Sequence, residues 1–242
     1  MSVFYACWAL DWTHSKGALA YHLHEKGAVK TGRFEIKNKK LSPSPIYFNL
    51  RTKQHPREPG LLLDEDVKQI GKALFNEVFQ EAVRSGLEFD FVAGIPDAGT
   101  PFAAAFRENL TNGGYYRAGL HKIGSGDSRR IENFYVVQPT WQGHKGKRVL
   151  IIDDVISGGD TKFEAIKAVE DAGYKVAGVV VLIDREQGGS EELEKRGYKV
   201  ISVFKLSKLL LFYLATSRIF RNNFEEIMGY IDRSKKIIAA SK

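Results

Sequence analysis

The densest chemistry in the sequence is one run, Val149-Leu150-Ile151-Ile152-Asp153-Asp154-Val155-Ile156-Ser157-Gly158-Gly159-Asp160-Thr161. An apolar strand leads straight into two carboxylates, and a Ser-Gly-Gly-Asp-Thr turn then opens a helix. Glycines let successive backbone N–H groups converge, and the helix start adds its positive end. Ser157 and Thr161 add hydroxyl donors. Together these residues make a cradle for a phosphate monoester. The run lacks the Gly-Lys-Ser/Thr ending of a P-loop, which argues against an NTPase. Asp153 and Asp154 would repel a phosphate if they pointed into the cradle. They serve better as acceptors for sugar hydroxyls beside it, or as partners of a metal. The plain structural alternative is a strand end with an Asp cap and a glycine turn.

Such a turn needs a sheet to present it. Phe89–Ile95, Arg148–Ile152, Val176–Ile183 and Lys199–Phe204 read as strands, with weaker ones at Gly114–Ala118 and Phe134–Gln138. Between them Thr100–Asn109, Thr161–Ala172 and Glu191–Arg196 read as helices. Continuous β-branched runs alternating with helices predict a parallel sheet covered on both faces. Ligands of such sheets bind beyond the carboxyl ends of the strands, here just after Ile95, Ile152 and Ile183. Upstream, Asp11–Glu25 reads as a first helix, Gly27–Leu50 as short strands and turns, and Lys53–Gly60 as a loop. Apolar residues at helical spacing over Leu62–Ser85 predict a long helix closed by Gly86. Downstream, Leu214, Ile219, Phe220, Phe224, Ile227, Met228 and Ile231 predict one or two amphipathic helices.

Composition narrows the classes further. The chain has 242 residues, 43% hydrophobic and 27% charged, which excludes disorder, collagen and coiled coil. Lys and Arg exceed Asp and Glu by 36 to 29, a net +7 that attracts anions. No RNA- or DNA-binding motif accompanies that charge, so nucleic acid is not the expected partner. The single cysteine, Cys7, excludes an internal disulfide, suits a reducing compartment and reads as a packing residue. The densest apolar run, Leu209–Ala215, is too short to span a bilayer. The expectation is a cytoplasmic protein with no membrane partner. The histidines form no zinc pattern, and neither a Ser–His–Asp order nor a Gly-x-Ser-x-Gly elbow is present.

The run from Val149 to Thr161 resembles the phosphoribosyl pyrophosphate (PRPP) signature of type I phosphoribosyltransferases. Four further segments resemble orotate phosphoribosyltransferases in particular. Lys26–Lys37 is similar to that family's "GA-K-G-F-L-K" segment, and Ser44–Arg51 to its "SP-Y-(F/D)-LR" segment. Gly94–Ala105 resembles "G-P-Y-x-G-x-P-L-A-A", and Leu182–Gly189 resembles "DREQGG". The likeness runs from about Leu23 to Leu210. It implies an α/β, type I phosphoribosyltransferase fold: a parallel-sheet core flanked by helices, with a small N-terminal hood. The expected divisions are 1–60 for the first helix and hood, 61–210 for the core and 211–242 for a helical tail.

The resemblance also implies roles. Asp153 and Asp154 contact the ribose hydroxyls, and Ser157, Gly158, Gly159, Asp160 and Thr161 hold the 5′-phosphate. Lys37 contacts ribose or pyrophosphate, and Asp97 and Ala98 lie in the turn that meets the substrate. Tyr47 and Phe48 flank the base, and Arg185 pairs with the orotate carboxylate. Mg²⁺ is the expected cofactor, held mainly by PRPP. The expected assembly is a homodimer with a shared active site. Where the family has a mobile loop, "R-K-E-x-K-x-H-G", this chain has Arg117-Ala118-Gly119-Leu120-His121-Lys122-Ile123-Gly124. Arg117 and Gly124 match. His121 stands in the slot of the catalytic lysine, with Lys122 one place later. Asp160 stands where the phosphate loop often has glycine. The expected reaction is transfer of the phosphoribosyl group from PRPP to orotate. The departures leave two alternatives, transfer to another base and a non-catalytic PRPP- or nucleotide-binding relative.

Overall fold

The computed structural model describes residues 3–36, 41–110, 116–124, 129–137 and 146–240. Its centre is a six-stranded sheet in the order β5-β4-β3-β6-β7-β8. The strands are β3 (Phe91–Gly94), β4 (Tyr116–Ile123), β5 (Arg130–Val136), β6 (Arg148–Ile156), β7 (Lys175–Asp184) and β8 (Val200–Lys205). Five run parallel, and β5 turns back antiparallel at the edge. The remaining strands, β1 (Val29–Phe34) and β2 (Ser44–Phe48), pair as a separate antiparallel hairpin.

The continuous apolar runs of β3, β6 and β7 follow from burial on both sides. Successive side chains point to opposite faces. Val92, Leu150, Ile152, Val180 and Leu182 enter one apolar cluster, and Phe91, Ala93, Val149, Ile151, Val179 and Val181 enter the other. The first cluster gathers α1 (Val3–Ala9), α2 (His14–Glu25), α3 (Asp64–Ser85), α4 (Gly99–Arg107), α7 (Leu206–Ala215) and α8 (Arg221–Ala239). The second is closed by α5 (Asp160–Asp171) and α6 (Gly189–Lys195). The hood, core and tail segments expected from sequence share the first cluster, and the division at residue 210 falls inside α7. Leu209, Leu210, Phe212 and Tyr213 there are fully buried.

Two elements differ from the sequence reading. The expected first helix begins at His14, because the Thr13 hydroxyl accepts from the Lys16 N–H and caps α2 there. Asp11, at φ 55°, separates α2 from α1. The second difference is at β4 and β5, expected as short strands on either side of a loop. They form a longer hairpin because Ala118, Leu120 and Ile131 alternate into the second core. No helix among the described residues is long and apolar enough to cross a membrane.

Candidate active site

The carboxyl ends of β3, β6 and β7 meet at one edge of the sheet. The Ile95 N–H donates to the Ile152 carbonyl at 2.9 Å, and the Arg185 N–H donates to the Ile156 carbonyl at 2.9 Å. These bonds align the turns that follow each strand.

The turn after β6 is a compact cradle. Gly159, at φ 93°, ends it, and its carbonyl accepts from the N–H groups of Lys162 and Phe163 as α5 begins. The Gly189 N–H donates to the Ser157 carbonyl at 2.7 Å, tying the cradle to the start of α6. A Cβ on Gly189 would lie 2.3 Å from that carbonyl oxygen, so only glycine fits. Thr161 is half-buried in the first turn of α5, and Asp160 is exposed beside Gly158.

Asp153 and Asp154 lie near the end of β6, Asp153 buried and Asp154 half-buried. Asp153 is buried and meets Lys162 Nζ at 2.6 Å. The same ammonium donates to the Val155 carbonyl. Lys162 thus reaches back from α5 and neutralises one carboxylate. Burial, and then the charge of Asp153, push the Asp154 carboxyl up to about 7. Its Oδ1 accepts from the Val155 N–H at 2.7 Å.

Cations collect at the end of β3. Asp97 Oδ2 receives Arg57 at 3.1 Å and Arg129 at 3.2 Å, with His55 Nε2 at 4.0 Å. Lys122 Nζ donates to the Pro96 carbonyl at 3.1 Å. Arg129 Nε is buried without a partner. One carboxylate is surrounded by more positive charge than it neutralises, which suits a polyanion arriving above it.

At the end of β7, Arg185 turns toward the hairpin. Its Nη2 donates to Ser44 Oγ at 3.3 Å, and its guanidinium lies 5.6 Å from the Phe48 ring centroid. Its Nε is buried and unpartnered. Burial lowers its pKa from the usual arginine value, and Tyr230 partly offsets that. Glu186 faces elsewhere, accepting from the Ser207 N–H at 2.6 Å to cap α7.

Comparison with known proteins agrees with this geometry. Residues 64–207 match the phosphoribosyl transferase domain. The chain is 37% identical to an orotate phosphoribosyltransferase of Pyrobaculum aerophilum over 76% of its own length and 83% of that protein. It is 30% identical to the orotate phosphoribosyltransferase of Sulfolobus acidocaldarius, covering 86% and 93% of the two chains. The crystal structure of the Aeropyrum pernix orotate phosphoribosyltransferase superposes with a TM-score of 0.56 at 25% identity, covering 79% and 96%. The chain belongs to the orotate phosphoribosyltransferases, within the type I phosphoribosyltransferase family.

Against the family pattern, the structure brings together Asp153, Asp154, Ser157, Gly158, Gly159, Asp160 and Thr161 on one turn. Gly99, next to Asp97 and Ala98, lies against Ile152 and Asp153, Lys122 reaches the Pro96 carbonyl, and Arg185, near the Phe48 ring, donates its N–H to the Ile156 carbonyl at the head of that turn. Three expected site residues stand apart from this grouping. Tyr47 does not share a face with Phe48: adjacent residues of β2 point oppositely, and Tyr47 stacks on Phe34 at 5.4 Å. Arg117 pairs in register with Val92, near the start of β3, and is exposed at the end of the sheet remote from the cradle. His121 of β4, opposite Asn133 of β5, is exposed, while its neighbour Lys122 reaches the Pro96 turn. Lys37 lies outside the described residues.

Sequence reasoning missed Lys162, His55, Arg57 and Tyr230. Lys162 carried one usable signal, a lysine on the helix that opens immediately after an aspartate pair. The other three lie in segments that read as loop and tail, and no local pattern marks them.

Proposed function

We propose that this site carries out phosphoribosyl transfer from PRPP to N1 of orotate, releasing pyrophosphate and giving orotidine 5′-phosphate, as in de novo pyrimidine synthesis. The observation that carries the reading is Arg185, a half-buried residue whose buried Nε has no partner, beside an aromatic face. A planar base bearing a carboxylate satisfies both features. The backbone cradle of Ser157–Thr161 binds the 5′-phosphate. Asp154, ionised, accepts from the ribose hydroxyls, and Asp153 is held in place by Lys162. The ribose is then fixed between phosphate and base, so its anomeric carbon faces the incoming nitrogen. Charge builds on the departing pyrophosphate as the C1′–O bond breaks, and Lys122, Arg129 and Arg57 stabilise it. No covalent intermediate on the protein is required.

The donor set suits Mg²⁺ carried in by the substrate. Among the described residues no three His, Cys, Asp or Glu side chains form a metal cage. Lys162 already occupies Asp153, which leaves Asp154 as the facing carboxylate. Mg²⁺ retains water and phosphate ligands readily, and when bound it neutralises charge on the pyrophosphate oxygens. Family likeness supports a homodimer and a cytoplasmic setting as parts of the same reading.

The test is a spectrophotometric assay with orotate, PRPP and Mg²⁺, run beside uracil and purine bases. Turnover confined to orotate is expected. Turnover of another base, or PRPP binding without turnover of any base, would overturn the assignment.

A further inference from the structure

The loop between β2 and α3 lies outside residues 64–207, the segment matched to the family domain, yet it supplies two of the groups around Asp97. Its base is closed. The Leu62 N–H donates to the Arg51 carbonyl and the Lys53 N–H to the Leu62 carbonyl, both at 3.0 Å. The N–H groups of His55 and Gly60 donate to the Thr52 carbonyl, at 3.1 and 2.8 Å. A Cβ on Gly60 would lie 2.0 Å from the Arg51 carbonyl oxygen, so the two ends of the loop touch. Arg51 also pairs with Glu58.

His55 organises the tip of this loop. Its side chain is 11% exposed. Its Nδ1 accepts from the N–H groups of Arg57 at 3.4 Å and Glu58 at 3.3 Å. Those shared bonds fold residues 55–58 into a turn, and the fixed φ of Pro56 stiffens it. An accepting Nδ1 leaves the ring proton on Nε2, which faces Asp97 Oδ2 at 4.0 Å. From the same turn Arg57 Nη2 comes 3.1 Å from that oxygen. The Arg57 side chain is 45% exposed, and an exposed arginine held by one ion pair gains little from it. A fixed backbone origin is what narrows the reach of its guanidinium. Gly99, two residues past Asp97, lies against Ile152 and Asp153, so the cluster stands beside the aspartate pair.

We propose that His55 is a positioning residue for the leaving group: it folds the turn that carries Arg57 to Asp97, so that this loop holds pyrophosphate. The inference rests on the cations around Asp97 being the pyrophosphate site, as proposed above.

The experiment is calorimetric binding of pyrophosphate with Mg²⁺, and separately of orotidine 5′-phosphate, to the full chain and to Arg57→Ala, His55→Ala, His55→Asn and the double variant His55→Ala/Arg57→Ala. Arg57→Ala should weaken pyrophosphate about tenfold, the scale of one charge-assisted hydrogen bond. His55→Ala should weaken it about fivefold, the scale of one ordinary hydrogen bond. His55→Asn should stay within about twofold of the wild type, because an asparagine side-chain oxygen accepts from the N–H two residues on. The double variant should lie within about twofold of Arg57→Ala, because His55 acts through Arg57. Orotidine 5′-phosphate should bind all five proteins alike, its phosphate in the cradle and its base at Arg185. Both ligands are read on one preparation, so partial unfolding cannot imitate the effect. In turnover His55→Ala should raise the KM for PRPP while the KM for orotate holds. Additive losses in the double variant would show that His55 meets the ligand by itself and would overturn the positioning role. So would equal losses for both ligands, no loss in His55→Ala, or no rescue by asparagine. If Arg57→Ala itself leaves pyrophosphate binding unchanged, the pyrophosphate reading of the cluster fails first, and that outcome is distinct from a failure at His55.

Discussion

Replacing Lys162 with methionine tests the electrostatics of the aspartate pair directly. Lys162 and Asp153 are 2.6 Å apart, with side chains 8% and 7% exposed. Methionine keeps the aliphatic length and removes the charge. Asp153 is then a buried carboxylate next to Asp154 with no counter-charge, and the Val155 carbonyl loses its donor. Breaking a buried pair by removing one partner costs about 3–5 kcal/mol. For a chain of this size each kcal/mol shifts Tm by about 2–4 °C, so Lys162→Met should melt roughly 6–20 °C lower at neutral pH. Proton uptake relieves a lone carboxylate, so the deficit should shrink in acid. The double variant Asp153→Asn/Lys162→Met removes both charges and should recover most of the lost stability while remaining inactive. Thermal and urea unfolding of the wild type, the single variants and the double variant completes the cycle. A loss below about 1 kcal/mol for Lys162→Met, the scale of an exposed pair, would refute the reasoning. A double variant no more stable than Lys162→Met would refute it equally.

Other outcomes follow from the same geometry. Asp154 is held near pH 7 in the folded chain, above its ordinary value of 3.8. The folded state therefore holds a proton that the unfolded chain has released, and stability contributed by the neutral carboxyl is lost as pH rises toward and through about 7. Asp154→Asn should gain stability relative to the wild type over that range, read as a growing difference in urea midpoints. PRPP affinity should rise through the same pH in the wild type and stay flat in the variant. Lys122→Ala should lower kcat/KM about a hundredfold, the scale of one lost transition-state donor, while His121→Ala should cost much less. The reverse ranking would return the role to His121. Gly189→Ala puts a methyl 2.3 Å from the Ser157 carbonyl oxygen and should raise the KM for PRPP while costing about 1–3 kcal/mol of stability.

The cradle and the two aspartates were legible because their chemistry is local. A strand, a carboxylate pair, glycines and a helix start occupy consecutive positions, and backbone geometry alone brings their groups together. Arg185 was legible for a similar reason, since it ends a buried strand at the ligand-binding edge of the sheet. The cationic cluster was legible only in part, at Lys122 and Arg129, which lie in the basic stretch standing in place of the family's loop. His55 and Arg57 reach Asp97 from a segment that reads as polar loop, and Arg129 reaches it from just before β5. Tyr230 is separated by 189 positions from the carbonyl that orients it. Such partners depend on how the hairpin and α8 fold over the sheet, and no short-range periodicity encodes that.

The displaced loop shows how a motif slot and a position in space can diverge. By slot, His121 stands for the lysine. By strand alternation, Ala118, Leu120 and Lys122 share a face, and the first two are held in the apolar core. Turning His121 inward would require a one-residue slip of β4, exposing Ala118 and Leu120 together. The core therefore fixes the register, and the register selects Lys122. It lies beyond the last buried position on that face, where its amine reaches the Pro96 turn. The bulge between His121 and Lys122 leaves this alternation intact, because the extra residue, Glu132, is on β5. A cation one place out of slot is thus what a strand requires where the family has a loop. The hydrophobic residues before it, more than the identity of His121, decide which side chain reaches the Pro96 turn.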